Sequence, residues 1–143
     1  STIIRKLLEK GHLSRANNFL KRNWTIEGTV QKGRMMGQKI GFPTCNIDIE
    51  NYVIAKPGVY AVRVRINDNK KVFRGIANLG YRPTFNQKKI LLEVNIFNFS
   101  RNLYNKKLSV EFLKFIRGEK KFKGISELKN QIKKDILKAK KTS

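Results

Sequence analysis

The chain has 143 residues, with 32 basic against 10 acidic side chains and a formal net charge of +22. This length suits one globular domain, and 40% hydrophobic residues with nine Phe and four Tyr suffice for a core without metals or disulfides. Cys45 is the single cysteine, which excludes an internal disulfide and favours a reducing compartment. No apolar run reaches the roughly 18 residues of a membrane span, so we expect a cytoplasmic location.

The N-terminal segment is predicted to form two short helices. Apolar residues recur at helical spacing over residues 3–8, and Gly11 can end that helix. Ser14 is the expected N-cap of the second helix. Its predicted buried side chains are Ala16, Phe19 and Leu20. Because the sequence starts without an initiator Met, we interpret these helices as a lead-in to the domain or as the tail of a preceding module.

From Trp24 onward the hydrophobic pattern has the two-residue period of β-strands. Alternation runs from Trp24 to Val30, and Pro57-Gly58 is a turn signal before the next strand. Further strands are predicted at residues 60–66, 72–78, 90–99 and 108–116. Five or six strands in hairpin-like succession are typical of an antiparallel barrel or sandwich.

A helix is predicted to close the chain, beginning near Ser126 as the expected N-cap. One apolar stripe on this helix is expected to pack against the barrel. The stripe consists of Leu128, Ile132, Ile136 and Ala139. The lysine-rich residues 138–143 suit a helix C-terminus and are expected to fray.

The segment from Gly33 to Asn46 is the first candidate for chemistry. It contains glycines at four-residue spacing, which are Gly33, Gly37 and Gly41. Glycine allows close approach of the backbone to a ligand, and N–H groups beside Lys39 suit phosphate oxygens. The segment therefore predicts a phosphate-binding loop. No Gly-Lys-Ser/Thr run occurs in it and no strong helical pattern follows, which argues against P-loop and Rossmann folds.

Thr44 and Asn46 lie two residues apart after Pro43. In an extended segment their side chains point the same way, and a hydroxyl with an amide oxygen can hold Mg²⁺, which shares its oxygen ligands with substrate phosphates. The alternative is a turn in which both side chains cap backbone N–H groups. Beside a glycine-rich loop we favour the metal site.

Glu93 is the candidate general base. It shares one face of its predicted strand with Leu91, Asn95, Phe97 and Phe99. A carboxylate on a largely apolar face is expected to be partly desolvated, and desolvation raises its affinity for protons. The alternative is that Glu93 lies on the solvated outer face of the barrel. The spacing leaves both alternatives open.

The positive charge makes a basic nucleic-acid-binding barrel without catalysis the competing function. The basic residues are mostly scattered lysines, however, and they are not gathered into arginine-rich or aromatic-interleaved stripes. We therefore favour a solvated basic surface that attracts anionic small molecules.

Several motifs together resemble the riboflavin kinase family, in particular the C-terminal kinase module of bacterial bifunctional FAD synthetases. The similarity runs in order from about Glu27 to Lys138. The motifs are GxxxGxxxGFPTCN (33–46), PGVYAVxV (57–64), GIANLGYRPTF (75–85), LEVNIF (92–97), LYNKKL (103–108) and FIRGEKKF (115–122). Residues 1–11 resemble the junction that follows the adenylyltransferase module.

The resemblance implies a six-stranded antiparallel Greek-key barrel with short N-terminal helices and a C-terminal helix. It implies transfer of the ATP γ-phosphoryl group to the ribityl 5′-hydroxyl of riboflavin, giving FMN and ADP. It also implies a lead-in over residues 1–22, a kinase barrel over residues 23–143, and covalent linkage to an FMN adenylyltransferase module in the full-length protein.

Site residues follow from the resemblance by position. Thr44 and Asn46 match residues that bind Mg²⁺ and nucleotide phosphates, and Glu93 matches the catalytic base. The phosphate loop would comprise Gly33, Gly37, Lys39 and Gly41. The flavin-binding residues would be Arg117, Glu119 and Phe122.

Two departures from the family pattern lie near these motifs. Cys45 stands where the family usually has alanine, and its oxidation would damage the site. Asn105 replaces the usual glycine after Tyr104, and Asn is the next most tolerant residue in a left-handed turn. Neither departure removes a predicted catalytic group.

Overall fold

A computed structural model describes residues 2–32, 41–49, 55–83, 85 and 88–142, which form three helices and six strands. The helices are α1 (Thr2–Glu9), α2 (Leu13–Leu20) and α3 (Ile125–Lys140). The strands are β1 (Thr25–Gln31), β2 (Cys45–Asp48), β3 (Gly58–Ile66), β4 (Phe73–Pro83), β5 (Lys88–Ile96) and β6 (Lys107–Arg117). Among the described helices none is both long and apolar enough to cross a membrane.

The six strands form a closed antiparallel barrel in the order β1-β2-β5-β4-β3-β6. Three consecutive strands, β3 to β5, pair as hairpins, and β2 lies beside β5, which is the Greek-key arrangement. The predicted six-stranded Greek-key barrel is therefore confirmed, and the sandwich alternative is wrong. This topology brings β2 and β5, which are distant in sequence, into contact.

The barrel interior is filled by every second side chain of the strands, as the two-residue period predicts. The largest of these side chains are Tyr60, Phe112, Leu79, Leu92 and Leu108. Tyr60 and Phe112 meet edge to face, with ring centroids 5.0 Å apart. Both N-terminal helices add buried side chains to the same core, namely Leu7, Leu8, Leu13 and Ala16.

Helix α3 covers the outer face of β3, β4 and β6. For this reason β3 is buried on both faces over residues 58–62 and does not show the simple alternation that its sequence suggested. Val59, Ala61 and Ile76 pack outside the barrel with Ala139 of α3, and Ile132 and Ile136 pack against them. The predicted apolar stripe is confirmed for these three helix residues.

Details at the helix ends differ from prediction. Helix α2 begins at Leu13 with His12 at the N-cap, and α3 begins at Ile125 with Gly124 at the N-cap, so neither Ser14 nor Ser126 is a cap. Burial of Leu13 and Ala16 orients α2, which leaves Phe19 55% exposed and corrects its predicted burial. Packing of the helix on the barrel outweighs the cap preference of a nearby serine.

The C-terminal residues are held to the barrel and do not fray as predicted within the described range. Arg74 of β4 donates from Nη2 to the carbonyl oxygens of Ala139, at 3.0 Å, and of Thr142, at 2.5 Å. The Ala139 carbonyl belongs to the last turn of the helix, where carbonyls lack i+4 partners, and it also accepts from the Thr142 backbone N–H at 3.1 Å. One side chain of the barrel therefore caps the end of α3.

Asn105 adopts a φ of +68° in the loop before β6. This value lies in the left-handed region, as expected at a position where the family usually has glycine. Asn tolerates that region better than most residues. The Asn105 backbone N–H donates to the carbonyl of Val30 at 3.0 Å. The expectation that Asn replaces glycine in a left-handed turn is confirmed.

Candidate active site

The predicted phosphate-binding loop enters the described chain at Gly41. Gly33, Gly37 and Lys39 lie outside the described residues. Gly41 has a φ of +87°, a conformation in which any L side chain is strained. The backbone conformation thus accounts for glycine at this position.

Thr44 and Asn46 flank Cys45, the first residue of β2. Cys45 and Ile47 pack against the barrel interior, so the intervening Asn46 faces outward. Thr44, one residue before the strand, is exposed, and Asn46 is half-buried. The two predicted metal and phosphate ligands therefore lie at the outer surface of the barrel, at the point where the loop joins β2.

Asn46 is the direct cross-strand partner of Glu93 on β5. Side chains of directly opposite residues point to the same face, with Cβ atoms about 4.5–5.5 Å apart in antiparallel pairs. Two residues 47 positions apart in sequence (93 − 46) thus become nearest neighbours. The barrel brings the predicted metal-binding end of the loop and the predicted base onto one patch of surface.

Glu93 is exposed, which corrects the expectation that apolar neighbours desolvate it. The apolar residues Leu92 and Val94 point into the barrel, whereas Glu93 points out. Helix α3 covers the outer face of β3, β4 and β6, and Glu93 on β5 remains exposed beside it. The structure therefore agrees with the other alternative, in which the Glu93 carboxylate lies on the solvated outer face of the barrel.

Asn78 of β4 is the other cross-strand partner of Glu93. It is exposed and lies between the buried residues Ala77 and Leu79, so its amide also faces outward. Sequence reasoning missed Asn78 as a site residue. Its outward direction could be inferred from the alternation, but its place beside Glu93 depends on strand register, which the sequence pattern leaves open.

The row of partners continues across the barrel to the predicted flavin side. Asn78 pairs with Val59 of β3, and Val59 pairs with Arg117 at the end of β6. With about 4.8 Å between neighbouring strands, three steps place Arg117 about 14 Å from Glu93 along the curved sheet. Glu93 therefore lies between the Thr44–Asn46 segment and the Arg117 segment.

Arg117 is held by an ion pair to Asp135 of α3. Its Nε donates to both Asp135 carboxylate oxygens, at 2.9 and 3.1 Å, and its Nη2 donates to one of them at 2.9 Å. Gln131 donates to the same carboxylate at 3.0 Å. Asp135 is only 1% exposed, so this network joins the end of β6 firmly to the helix.

The guanidinium of Arg117 also lies 5.8 Å from the ring centroid of Phe122, so two of the predicted flavin-binding residues are in contact. Glu119 between them is exposed. Gly58 allows β3 to approach closely here, because a Cβ on Gly58 would lie 2.2 Å from the Arg117 carbonyl oxygen. The position of the 117–122 segment therefore depends on both β3 and α3.

Sequence reasoning also missed Asp135. Its helical spacing was a usable signal, since Asp135 lies three residues after Ile132 and four before Ala139, within the apolar stripe. A buried carboxylate on such a stripe requires a charged or hydrogen-bonding partner. The sequence did not indicate that this partner is Arg117.

The donor chemistry of the site suits a hard cation carried by a nucleotide. Thr44 and Asn46 offer a hydroxyl and an amide oxygen, and Glu93 lies beside Asn46. Within the described part of the chain no group of three or more His, Cys, Asp or Glu side chains could hold a metal. Mg²⁺ commonly retains waters and binds through one or two protein groups plus substrate phosphates, so these residues fit that ion.

Cys45 lies between the two candidate ligands, with its side chain on the inner face of β2 and half-buried. Burial raises the pKa of the Cys45 thiol above its ordinary value. Because the thiolate is the reactive form, the raised pKa lowers the reactivity of Cys45 toward the oxidation that the sequence suggested.

In a comparison with known protein families, residues 20–143 match Flavokinase (riboflavin kinase). Two curated relatives are the bifunctional riboflavin kinase/FMN adenylyltransferases of Haemophilus influenzae and Bacillus subtilis. The Haemophilus influenzae protein is 45% identical over 98% of this chain, and the Bacillus subtilis protein is 41% identical over 94% of it. The chain spans only 45% and 43% of those relatives, less than half of their length.

Two solved structures are similar in fold. A crystal structure of a macrolide-efflux protein from Streptococcus pneumoniae superposes with a TM-score of 0.92 at 32% identity, covering 100% of this chain and 47% of that one. A riboflavin kinase from Trypanosoma brucei superposes with a TM-score of 0.60 at 20% identity, over 82% of this chain and 74% of that one. The latter similarity shows the shared barrel fold.

Proposed function

This chain belongs to the riboflavin kinase family, and we propose that it transfers the γ-phosphoryl group of ATP to the ribityl 5′-hydroxyl of riboflavin at the Asn46–Glu93 patch. Membership assigns riboflavin kinase activity, and the family uses ATP as the phosphoryl donor. The assignment of individual residues to the two substrates is our proposal.

The observation that carries this proposal is the cross-strand pairing of Asn46 with Glu93. Phosphoryl transfer depends mainly on positioning and charge neutralisation, and a carboxylate near the attacking hydroxyl can accept or orient its proton. The pairing supports a site in which phosphate-binding groups and a carboxylate are adjacent. Glu93 would accept or orient the proton of the ribityl hydroxyl.

The nucleotide would bind on the side of Gly41, Thr44 and Asn46. The hydroxyl of Thr44 and the amide oxygen of Asn46 would hold Mg²⁺ together with the phosphates, with Gly33, Gly37 and Lys39 completing the loop. The ion would neutralise negative charge on the transferred group. Bound substrates would also cover Glu93 and exclude water from it. The Glu93 carboxylate would therefore be desolvated only when both substrates are bound.

Riboflavin would bind on the side of Arg117, Glu119 and Phe122. The separation of about 14 Å between Glu93 and Arg117, estimated from the strand spacing, leaves room for a ribityl chain and part of an isoalloxazine ring. The Arg117 guanidinium is already engaged by Asp135, so its part in flavin binding would be to shape the segment together with Phe122.

The fusion to a second module is also part of the proposal. The relatives are described as bifunctional, and this chain corresponds to less than half of their length. We propose that residues 1–22 are the lead-in from an FMN adenylyltransferase module and that residues 23–143 form the kinase. Side chains of helices α1 and α2 pack into the barrel core, so the lead-in would be structurally part of the kinase domain.

The test is FMN formation from riboflavin and ATP by the purified chain, with and without added Mg²⁺. We expect FMN and ADP in equal amounts, with little product after chelation of the metal. Riboflavin binding without turnover would indicate a module that has lost catalysis. Salt-sensitive RNA binding without any flavin-dependent ATP consumption would favour the competing nucleic-acid function.

A further inference from the structure

Asn95 is a buried polar side chain on the same strand as Glu93. It is 8% exposed, and Asn95 and Asp135 are the two polar or charged residues buried in the described part of the chain. Asp135 forms the ion pair with Arg117 described above. A buried amide costs free energy unless it is hydrogen-bonded, so the partner of Asn95 is informative.

That partner is the backbone just before the proposed metal ligand. Asn95 Nδ2 donates to the carbonyl oxygen of Pro43 at 2.7 Å. The ladder between β2 and β5 has its first described pair at Cys45 and Val94, so this side chain extends the attachment of the loop beyond the strand. Thr44 lies between the two points of attachment.

The geometry of the peptide unit explains why this contact matters for Thr44. The Pro43 carbonyl and the Thr44 N–H belong to one planar group, so a bond that orients the oxygen orients the start of Thr44. The proline ring also limits φ at Pro43 to about −65°. Together these constraints determine the direction in which the chain enters Thr44.

Asn95 is itself held firmly. A Cβ on Gly75 of β4 would lie 2.3 Å from the Asn95 carbonyl oxygen, so β4 and β5 approach very closely at this point. Glu93 lies two residues earlier, on the same outer face of β5. One strand therefore bears the candidate base and, two residues later, the side chain that attaches the opposing loop.

We propose that Asn95 is a positioning residue that orients the Thr44 hydroxyl for the nucleotide-bound cation. This inference rests on the proposed function, because it concerns the same site. A merely structural Asn95 would lower the stability of the barrel and weaken both substrates alike. A positioning Asn95 weakens the metal nucleotide selectively.

The test uses Asn95→Leu, which is similar in size and lacks the donor, and Asn95→Ser, which is smaller and cannot reach the Pro43 carbonyl. Binding of Mg·ADP is measured by calorimetry, and FMN binding by quenching of flavin fluorescence. Loss of a hydrogen bond that orients a metal ligand commonly costs 10–100-fold in metal affinity. We expect Mg·ADP to bind about tenfold or more weakly and FMN affinity to change less than about twofold.

A double-mutant cycle with Thr44→Val identifies the route of the effect. If Asn95 acts through Thr44, adding Asn95→Ser to Thr44→Val weakens Mg·ADP binding no further. Thermal unfolding of each variant shows which of them are folded, and Asn95→Ser serves if Asn95→Leu does not fold. Additive losses, or equal losses for Mg·ADP and FMN, would overturn the positioning role.

Failure of the two proposals can be separated. If the unsubstituted chain forms no FMN, the proposed function fails and this inference fails with it. If the unsubstituted chain forms FMN and the folded Asn95→Ser variant binds Mg·ADP as tightly as the unsubstituted chain does, only the positioning role is overturned.

Discussion

Asn46 of β2 and Glu93 of β5 are directly opposite each other in the antiparallel ladder, on the outer face of the barrel. This pairing joins the end of a glycine-rich loop to a carboxylate from a distant part of the sequence. With Asn78 on the far side of Glu93, it forms a polar strip that helix α3 leaves exposed. Such an open strip with one central carboxylate can be covered by two substrates that meet above it.

Replacing Glu93 with Gln is expected to lower kcat for FMN formation by about 10²-fold or more, since the amide cannot accept the hydroxyl proton. Stability should be unchanged because the side chain is exposed. The measurement is steady-state turnover at saturating ATP and riboflavin. Glu27→Gln is the matched control, as Glu27 is also exposed on a strand but outside the strip. Near-normal turnover of Glu93→Gln would remove Glu93 as base.

Replacing Asp135 with Ala is expected to destabilise the protein by about 3–5 kcal/mol, since it leaves the Arg117 guanidinium partly buried without its partner. The free energy of unfolding in urea measures this loss. Among folded molecules, the KM for riboflavin should rise more than the KM for ATP, because Arg117 belongs to the proposed flavin side. Asp68→Ala, in the exposed turn after β3, is the control. Equal stability of the two variants would contradict the buried network.

Glu111 on β6 predicts a dependence of stability on pH. Burial alone would raise its pKa, but hydrogen bonds from Arg63, Asn23 and Arg65 lower the pKa of the Glu111 carboxyl below its ordinary value. A carboxyl whose pKa is lower in the folded state stabilises the fold above its unfolded pKa, near 4.5, and this contribution is lost as pH falls through the folded pKa.

Glu111→Gln should therefore cost about 1–3 kcal/mol at pH 7, and the difference from the unsubstituted protein should shrink below about pH 4. Urea unfolding at a series of pH values measures this. Glu27→Gln is again a suitable control, because its pair with Lys107 has side chains 57% and 61% exposed and should contribute about 0–1 kcal/mol. A difference that is constant from pH 7 to pH 3 would exclude Glu111 as the titrating group.

Cys45 is expected to react slowly with thiol reagents in the folded protein. Its raised pKa leaves little thiolate at pH 7, so modification should be about tenfold or more slower than in denaturant and should accelerate as pH rises. Mass spectrometry over time measures the modified fraction. Cys45→Ala should retain FMN formation, since the thiol faces the core and not the site. Rapid modification of the folded protein at pH 7 would show that the thiol is accessible and reactive.

The sequence predicted the parts of this molecule whose signals are local. The two-residue period indicated the strands, the helical period indicated the stripe on α3, and the motifs between Gly33 and Phe122 indicated the riboflavin kinase family. Helix boundaries were less accurate, because packing of Leu13 determined the start of α2 in spite of the serine that follows it. The sequence left the burial of Glu93 open, since both faces of its strand carry apolar residues, and the structure shows that the side chain is exposed.

Relations between distant strands were decided only by the tertiary structure. Which residue lies opposite Glu93 depends on strand order and register, and a shift of one residue would exchange the inner and outer faces of β5. The same holds for the bond from Asn95 to Pro43 and for the pairing of Asp135 with Arg117. The sequence by itself indicated an antiparallel β fold and the chemical groups available, because these depend on composition and local pattern, and its motifs indicated the family and with it the barrel. Closure of the barrel determined which of those groups meet, because cross-strand neighbours are selected by the packing of the whole core.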